Sequence, residues 1–428
     1  VFSRFISDYG MVFVLLGLCA WFSWVTMADQ HPTGAAAGEQ LARELRGKGG
    51  VLVVARDTPE DAQFVAALER SLERGQLIRA VKGQPADARR ALEQYRAEIK
   101  AIACNQVTAN WAVFDGSIPV LKPRSYRWPN FLKRENLLNI ANQIAVIAIV
   151  AIGMTMVIIT RGIDLSVGSL IALAAVAATL LIRDRGGAES ATAAAMTLSS
   201  FGGIALCGFI GFLSGVLVTY FVVPAFIATL GMMLVASGLA FIVAKGQSIY
   251  QVPDAFIWLG RGAAFGIPNA VWLMAILYLL AHVLMTHTAL GRYIYAVGGN
   301  PEAARFSGVP VNRVLLFVYT VCGALAGLGG VIMASQLKSG SPTYGLMYEL
   351  FVIAAAVVGG TSLSGGQGKI LGTLIGAFII AVIQNGMNLT GVESYTQKVI
   401  LGLVILGAVL VDILKKRGWE KYLRRAKT

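Results

Sequence analysis

Charge is what this sequence has least of. Asp, Glu, Lys and Arg make up 14% of its 428 residues, against about 25% in an ordinary soluble chain, and 56% of the residues are hydrophobic. That balance excludes a secreted enzyme or a DNA-binding module built around a solvated surface. Cysteine is almost absent as well. Cys19, Cys207 and Cys322 lie in apolar runs and Cys104 lies alone in a polar segment, so a disulfide scaffold is excluded and the four read as small packing residues. The three histidines, His31, His282 and His287, form no HExxH, and no paired thiolates accompany them, so no metal centre or metal-dependent cofactor is expected.

What fills the space is apolar length. Runs of low charge occur at 10–28, 138–160, 165–182, 196–219, 225–244, 270–286, 313–335, 346–362, 369–390 and 397–414. Most approach the roughly 20 residues that cross a ~30 Å hydrocarbon core. The first is too long for a signal-peptide core, and Asp8 offsets Arg4 before it, so it reads as a retained helix. The expectation is an all-α polytopic membrane protein of about ten transmembrane helices. An even count puts both termini on one side. Lys415, Lys416, Arg417, Lys421, Arg424, Arg425 and Lys427 form the densest basic block near any span, which assigns that side to the cytoplasm. The +13 net charge therefore reports topology, and a nucleic-acid partner is not expected.

The remaining charge is concentrated. Between Asp29 and Glu135 stand 17 basic and 13 acidic side chains, marking an external polar insert at 29–135. Its Arg124, Arg127, Lys133 and Arg134 lie on the side the charge rule disfavours, but a loop of this length largely escapes that rule. Within it, Gly49–Ala55 reads as a strand, and Phe64, Val65, Leu68 and Leu72 fall at helical spacing. Leu77–Val81 reads as a second strand, Pro85–Lys100 as a second helix and Ala101–Ala103 as a third strand. The expected organisation is thus a first helix at 1–28, an α/β insert at 29–135, a membrane domain at 136–414 and a basic tail at 415–428. The insert's periodicity is similar to the N-terminal part of periplasmic sugar-binding domains at about half the length, and an accessory docking module is the preferred reading.

The connection from His287 to Arg313, placed in the cytoplasm, contains a short helix with local signals at both ends. Asn300 can cap it, Pro301 suits its first position, Glu302 places negative charge at the positive end of the dipole, and Gly308 can end it. A bare connector and a lever for a soluble partner explain this pattern equally well from local physics.

The order Glu302-Ala303-Ala304 followed by Gly308 resembles the EAA loop by which permeases of ABC importers meet their ATPase subunits. Gly153–Leu173 (GMTMVIITRGIDLSVGSLIAL), Pro224–Met233 (PAFIATLGMM) and Ala354–Ile380 resemble permease subunits of the ribose and xylose importer family. The similarity covers Asn136 to Arg417 almost throughout, and the 29–125 insert departs from the family's short external loop. The resemblance implies a type II ABC importer permease fold in the bacterial inner membrane. It also implies an ABC ATPase subunit, a periplasmic sugar-binding protein and a second permease subunit as partners. Asn300, Pro301, Glu302, Ala303, Ala304, Arg305 and Gly308 match the coupling segment. Arg161, Gly162, Asp164, Ser166 and Gly168 would form a cytoplasmic turn, with Asp164 as a cap or in an ion pair with Arg161.

Leu363-Ser364-Gly365-Gly366-Gln367 spells the signature string of ABC ATPases, yet the chain lacks the cradle that would make it one. Gly368-Lys369 is followed by Ile370 and preceded, at the P-loop spacing, by Leu363. The chain is therefore expected to be a transport subunit, with hydrolysis in a partner. Polar side chains inside apolar spans are expensive and mark candidate pathways. Asn139, Asn142 and Gln143 fall at i, i+3 and i+4, and Gln384, Asn385 and Asn388 form a second cluster. Amides both donate and accept, which suits an uncharged polyol, and interhelical hydrogen bonding explains the same residues equally well. The expected substrate is a monosaccharide. A branched-chain amino acid or another small polar solute is the alternative within the class, and an ion-coupled carrier or an interfacial enzyme lies outside it.

Overall fold

A computed structural model describes residues 2–73 and 75–417, with side chains described for 10–73, 75–407, 409 and 410; residues 418–428 of the basic tail lie outside the described residues. The chain divides into two compact units, Thr26–Asn130 and the remainder. Helix α1 (Phe2–Val25) belongs to the larger unit.

The smaller unit begins with β1 (Met27–Gln30) and α2 (Gly34–Leu45). It continues through β2 (Val51–Ala55), α3 (Pro59–Ser71), β3 (Leu77–Lys82), α4 (Pro85–Tyr95), β4 (Ala101–Cys104), β5 (Val120–Leu121) and β6 (Tyr126–Pro129). Strands β3, β2, β4 and β5 lie in that order in one parallel sheet. Central β2 is buried along its whole length, as a strand covered on both faces must be. Val51, Val53 and Ala55 face a core that includes Leu41, Leu45, Phe64 and Leu68, and Leu52 and Val54 face one that includes Ala88, Ala91 and Ile99. Strands β1 and β6 pair antiparallel, Met27 opposite Pro129, and the Asn130 amide donates to the Thr26 carbonyl at 2.9 Å, so the unit's two ends meet. Four elements lie beyond the sequence reading: α2, whose alanine-rich turns carry few apolar markers, the two-residue β5, and the paired strands β1 and β6.

The larger unit continues with α5 (Arg134–Ile159), α6 (Val167–Asp184), α7 (Ala193–Thr219) and α8 (Ala225–Val243). After α9 (Trp258–Arg261) and the β7 (Ala263–Ala264) and β8 (Ile267–Pro268) hairpin come α10 (Asn269–His287), α11 (Ala289–Gly299), α12 (Pro301–Phe306) and α13 (Val311–Leu337). Helices α14 (Tyr348–Val358), α15 (Ile370–Leu389) and α16 (Ser394–Arg417) complete it. Among the described residues, α5, α6, α7, α8, α10, α13 and α15 are long and apolar enough to cross a membrane, seven in all. The run at 346–362 holds only the 11 residues of α14, about 16 Å of helix. Met347 and Gly345, both at positive φ, delay its start, and Gly359-Gly360 follows its end.

Helix α5 is the axis of this unit. Every residue from Ile144 to Ile159 is buried, the pattern of a helix apolar on all sides. It packs against α13, α14, α15 and α10. Outer helices behave oppositely: α8 exposes Phe226, Ile227, Leu234, Val235 and Ile242, a surface that hydrocarbon solvates and water would not. Close approach in the interior uses small residues, as between Gly153 of α5 and Cys322 of α13.

Candidate functional site: a cavity, a joint and an exposed helix

A cavity of about 280 Å³ opens between α5, α13, α14 and α15. Three glutamine amides, Gln143, Gln336 and Gln384, line it with Tyr348 and Phe351, whose rings meet edge to face at 6.4 Å. Its remaining wall is aliphatic, including Ile140, Ile144 and Ile147, and no charged residue lines it. Amides that donate and accept beside aromatic rings suit a neutral hydroxylated solute better than an ion. Gln143 and Gln384 have no hydrogen-bond partner among the described residues, whereas the Gln336 amide donates to the Asn142 carbonyl at 3.0 Å.

Only two of the six pathway candidates line this cavity. Asn139 is exposed on α5 one turn before Gln143. The Asn142 amide donates to the Gly260 carbonyl at 3.3 Å. Asn385 exchanges two hydrogen bonds with Asn136, at 3.0 and 2.8 Å, tying α15 to α5. Asn388 accepts from Gln397 at 2.8 Å. Interhelical bonding accounts for Asn142 and Asn385. Gln336, Tyr348 and Phe351 are the lining residues that sequence reasoning missed. Gln336 stands alone at the end of its apolar run, outside any cluster of the kind that drew attention to Gln143, and a search for single amides at the ends of apolar runs would have found it.

At the far end of α5 and α13 from the cavity stands the short helix α12. The Asn300 side chain accepts from the Glu302 and Ala303 amides, both at 3.0 Å, a cap worth about 1 kcal/mol. Pro301 opens the helix, and Gly308 at φ +80° turns the chain away after it, a conformation that favours glycine. Ala304 is buried, while Glu302, Ala303, Arg305 and Phe306 face outward. Phe306 is 92% exposed, an apolar ring at the end of a helix that also exposes Glu302 and Arg305, and the sequence reading passed over it.

The turn between α5 and α6 departs from expectation in one respect. Arg161 forms no ion pair with Asp164: its Nε donates to the Gly298 carbonyl at 2.7 Å and its terminal nitrogen to the Gly299 carbonyl. Asp164 is fully buried and instead accepts from Ser166, from the amide at 2.9 Å and from the hydroxyl at 2.6 Å, with Cys322 beside it. Gly162 lies under the Tyr319 hydroxyl, and Gly168 packs against the Gly345 carbonyl. The Leu363–Gln367 string forms the turn between α14 and α15. Its Gly366 amide donates to the Ile159 carbonyl at 2.8 Å, and Tyr295 of α11 donates to the Gly368 carbonyl at 2.8 Å.

Among the described residues no three His, Cys, Asp or Glu side chains group as metal ligands. In the smaller unit, burial pushes the Cys104 thiol up to about 12, so it is no nucleophile at neutral pH.

The family described as branched-chain amino acid transport system / permease component matches residues 136–409, a region that begins after the smaller unit. The ribose import permease protein RbsC of Escherichia coli K12 is 48% identical over 292 residues, 67% of this chain and 88% of that protein. RbsC of Bacillus subtilis is 41% identical over 323 residues, 75% of this chain and 98% of that one. The L-arabinose transport system permease protein AraH of Escherichia coli K12 is 35% identical, covering 68% of this chain and 86% of AraH. No solved structure matches. With the family match covering 136–409 and relatives this similar over two thirds or more of the chain, the chain belongs to the permease family of the branched-chain amino acid transport type.

Proposed function

We infer that the chain is the membrane-spanning permease subunit of an ATP-driven importer for a monosaccharide of the ribose or arabinose kind. The observation that carries this reading is an uncharged, amide-lined cavity at one end of α5 and α13, with an exposed Glu302–Phe306 helix at the other. Relatives whose names give ribose, arabinose and allose as cargo support the substrate class.

In this reading the chain hydrolyses nothing. An ABC ATPase subunit in the cytoplasm meets Glu302, Arg305 and Phe306. A periplasmic binding protein delivers the sugar to the cavity mouth, and a second copy of the permease completes the passage. Ten membrane passages, counting α1, α14 and α16, put both termini in the cytoplasm of the inner membrane and the 29–135 insert outside. A branched-chain amino acid is the second reading, favoured by the family description, but its ammonium and carboxylate would find no charged partner in the cavity.

The test is reconstitution of the chain with its ATPase and binding protein in liposomes, with uptake of radiolabelled pentose, hexose and leucine compared. Saturable, ATP-dependent uptake of one sugar is expected. Uptake driven by an ion gradient without ATP would replace the reading with a secondary carrier.

A further inference from the structure

Resting on the permease reading, we propose that Arg161 is a positioning residue that makes α5 follow the movement of the α11–α12 arm, and so conveys that movement to the cavity. Gly298 and Gly299, whose carbonyls receive the Arg161 guanidinium, are the last two residues of α11, and Asn300 then caps α12 directly. Carbonyls at a helix C-terminus lack intrahelical partners and carry the negative end of the dipole, so a cation is favoured there. A planar fork with two donors fixes orientation as well as distance, which a point charge does not.

The fit around this contact is tight. Gly298 approaches the end of α5 so closely that a Cβ there would overlap the Ile159 carbonyl oxygen. That same oxygen accepts from the Gly366 amide, and Tyr295, one turn back on α11, holds the Gly368 carbonyl. The end of α11, the end of α5 and the turn before α15 therefore form one joint. Arg161 itself sits at φ +66°, a left-handed conformation that a non-glycine residue keeps only where its surroundings over-determine it.

Helix α5 carries this joint at one end and Gln143, Ile144 and Ile147 of the cavity towards the other, about 18–24 Å away along its axis. A buried helix in a close-packed bundle shifts as a unit and does not absorb a push by local deformation. An ATPase that moves α12 moves the end of α11, and the Arg161 fork makes α5 move with it. Without the fork, α11 can slip past α5, and hydrolysis proceeds with the cavity unchanged.

The test uses the full chain in complex with its ATPase and sugar-binding partners, reconstituted in liposomes, reading ATP hydrolysis and sugar uptake together. For Arg161→Gln, ATPase capture and hydrolysis are expected within about twofold of the parent, while sugar moved per ATP falls about tenfold, the scale of a lost charge-assisted contact. Arg161→Lys keeps the charge without the fork and is expected to fall about threefold. Tyr295→Phe removes one hydroxyl from the same joint with little risk to folding, and about a threefold loss of coupling is expected. Coupling ratios unchanged in all three variants would overturn the proposal. So would losses of uptake, ATPase capture and thermal stability in parallel, which would mark Arg161 as a folding residue only. A parent complex that takes up sugar without hydrolysing ATP would sink the permease reading itself, before any variant is compared.

Discussion

At the scale of single residues, the cavity and the insert make separate predictions. Gln143 and Gln384 line the cavity with no hydrogen-bond partner among the described residues, so replacing either by a leucine of similar size removes no hydrogen bond from the fold. Each hydrogen bond to a sugar hydroxyl is worth about 1 kcal/mol, so Gln143→Leu and Gln384→Leu are each expected to lower uptake about fivefold. ATPase capture, read by co-purification, should not change; uptake equal to the parent's in both variants would remove the cavity from the pathway. In the smaller unit, Asp61 is 2% exposed and accepts from the Arg56 amide at 2.9 Å and from its guanidinium at 3.0 and 3.1 Å. Burial pushes this carboxyl up, but the Arg56 hydrogen bonds and charge outweigh it and hold the group below the ordinary value of 3.8. A depressed carboxylate stabilises the fold above its unfolded pKa, and that contribution is lost as pH falls through the folded value. Limited proteolysis of the full chain should therefore find residues 26–130 protected at neutral pH and increasingly cut as pH falls below about 4. In Asp61→Asn the cutting should already rise at neutral pH and show little of that acid dependence.

Elements differ in how far the sequence alone reveals them, and the difference follows from how local their causes are. Helix α12 was legible because Asn300, Pro301, Glu302 and Gly308 act within their own turn, and the cap forms as expected. Apolar runs were legible because a span needs only length and the absence of charge, and seven of the helices meet that test. The run at 346–362 misled because its apolar composition says nothing of the left-handed residues before Tyr348, which leave α14 with 11 residues. The cavity was half legible: clusters of amides could be listed, but only the packing of α5, α13, α14 and α15 separates Gln143 and Gln384 from Asn142 and Asn385. Arg161 lies 137 positions from Gly298, and a contact of that range leaves no periodic trace, so the local Asp164 looked like its partner. The exposed face of α12 carries the element-scale prediction. The few side chains that dominate an interface each cost about 2 kcal/mol on truncation, so with Phe306 as such an anchor Phe306→Ala is expected to weaken ATPase capture about thirtyfold. Glu302→Lys, which reverses a charge beside that anchor, should act in the same direction and raise the salt sensitivity of capture. Both chains should reach the membrane in parental amounts, since neither side chain is buried; capture equal to the parent's in both would assign the ATPase to another surface.

For the whole molecule, sidedness decides whether the two units can do what is proposed for them. The insert's ends are pinned together by the β1–β6 pair, so its 105 residues enter a single connection between α1 and α5 without requiring those helices to separate. If that connection is periplasmic and α12 is cytoplasmic, exposed Ser117 of the insert and exposed Ser307 after α12 lie across the membrane from each other. The native thiols interfere little, because Cys104, Cys207 and Cys322 are buried and Cys19 is half-buried. In cells whose outer membrane has been made permeable, a membrane-impermeant maleimide should label Ser117→Cys while leaving Ser307→Cys untouched, and should label both once the inner membrane is broken. The reverse pattern would invert the topology and place the insert beside the ATPase. Labelling of both sites in unbroken cells would mean an even number of passages between them, not the five that α5, α6, α7, α8 and α10 supply. The first result would overturn the orientation that the terminal basic block assigns, and the second the passage count between the insert and α12, so either would take down the arrangement with both termini and α12 in the cytoplasm.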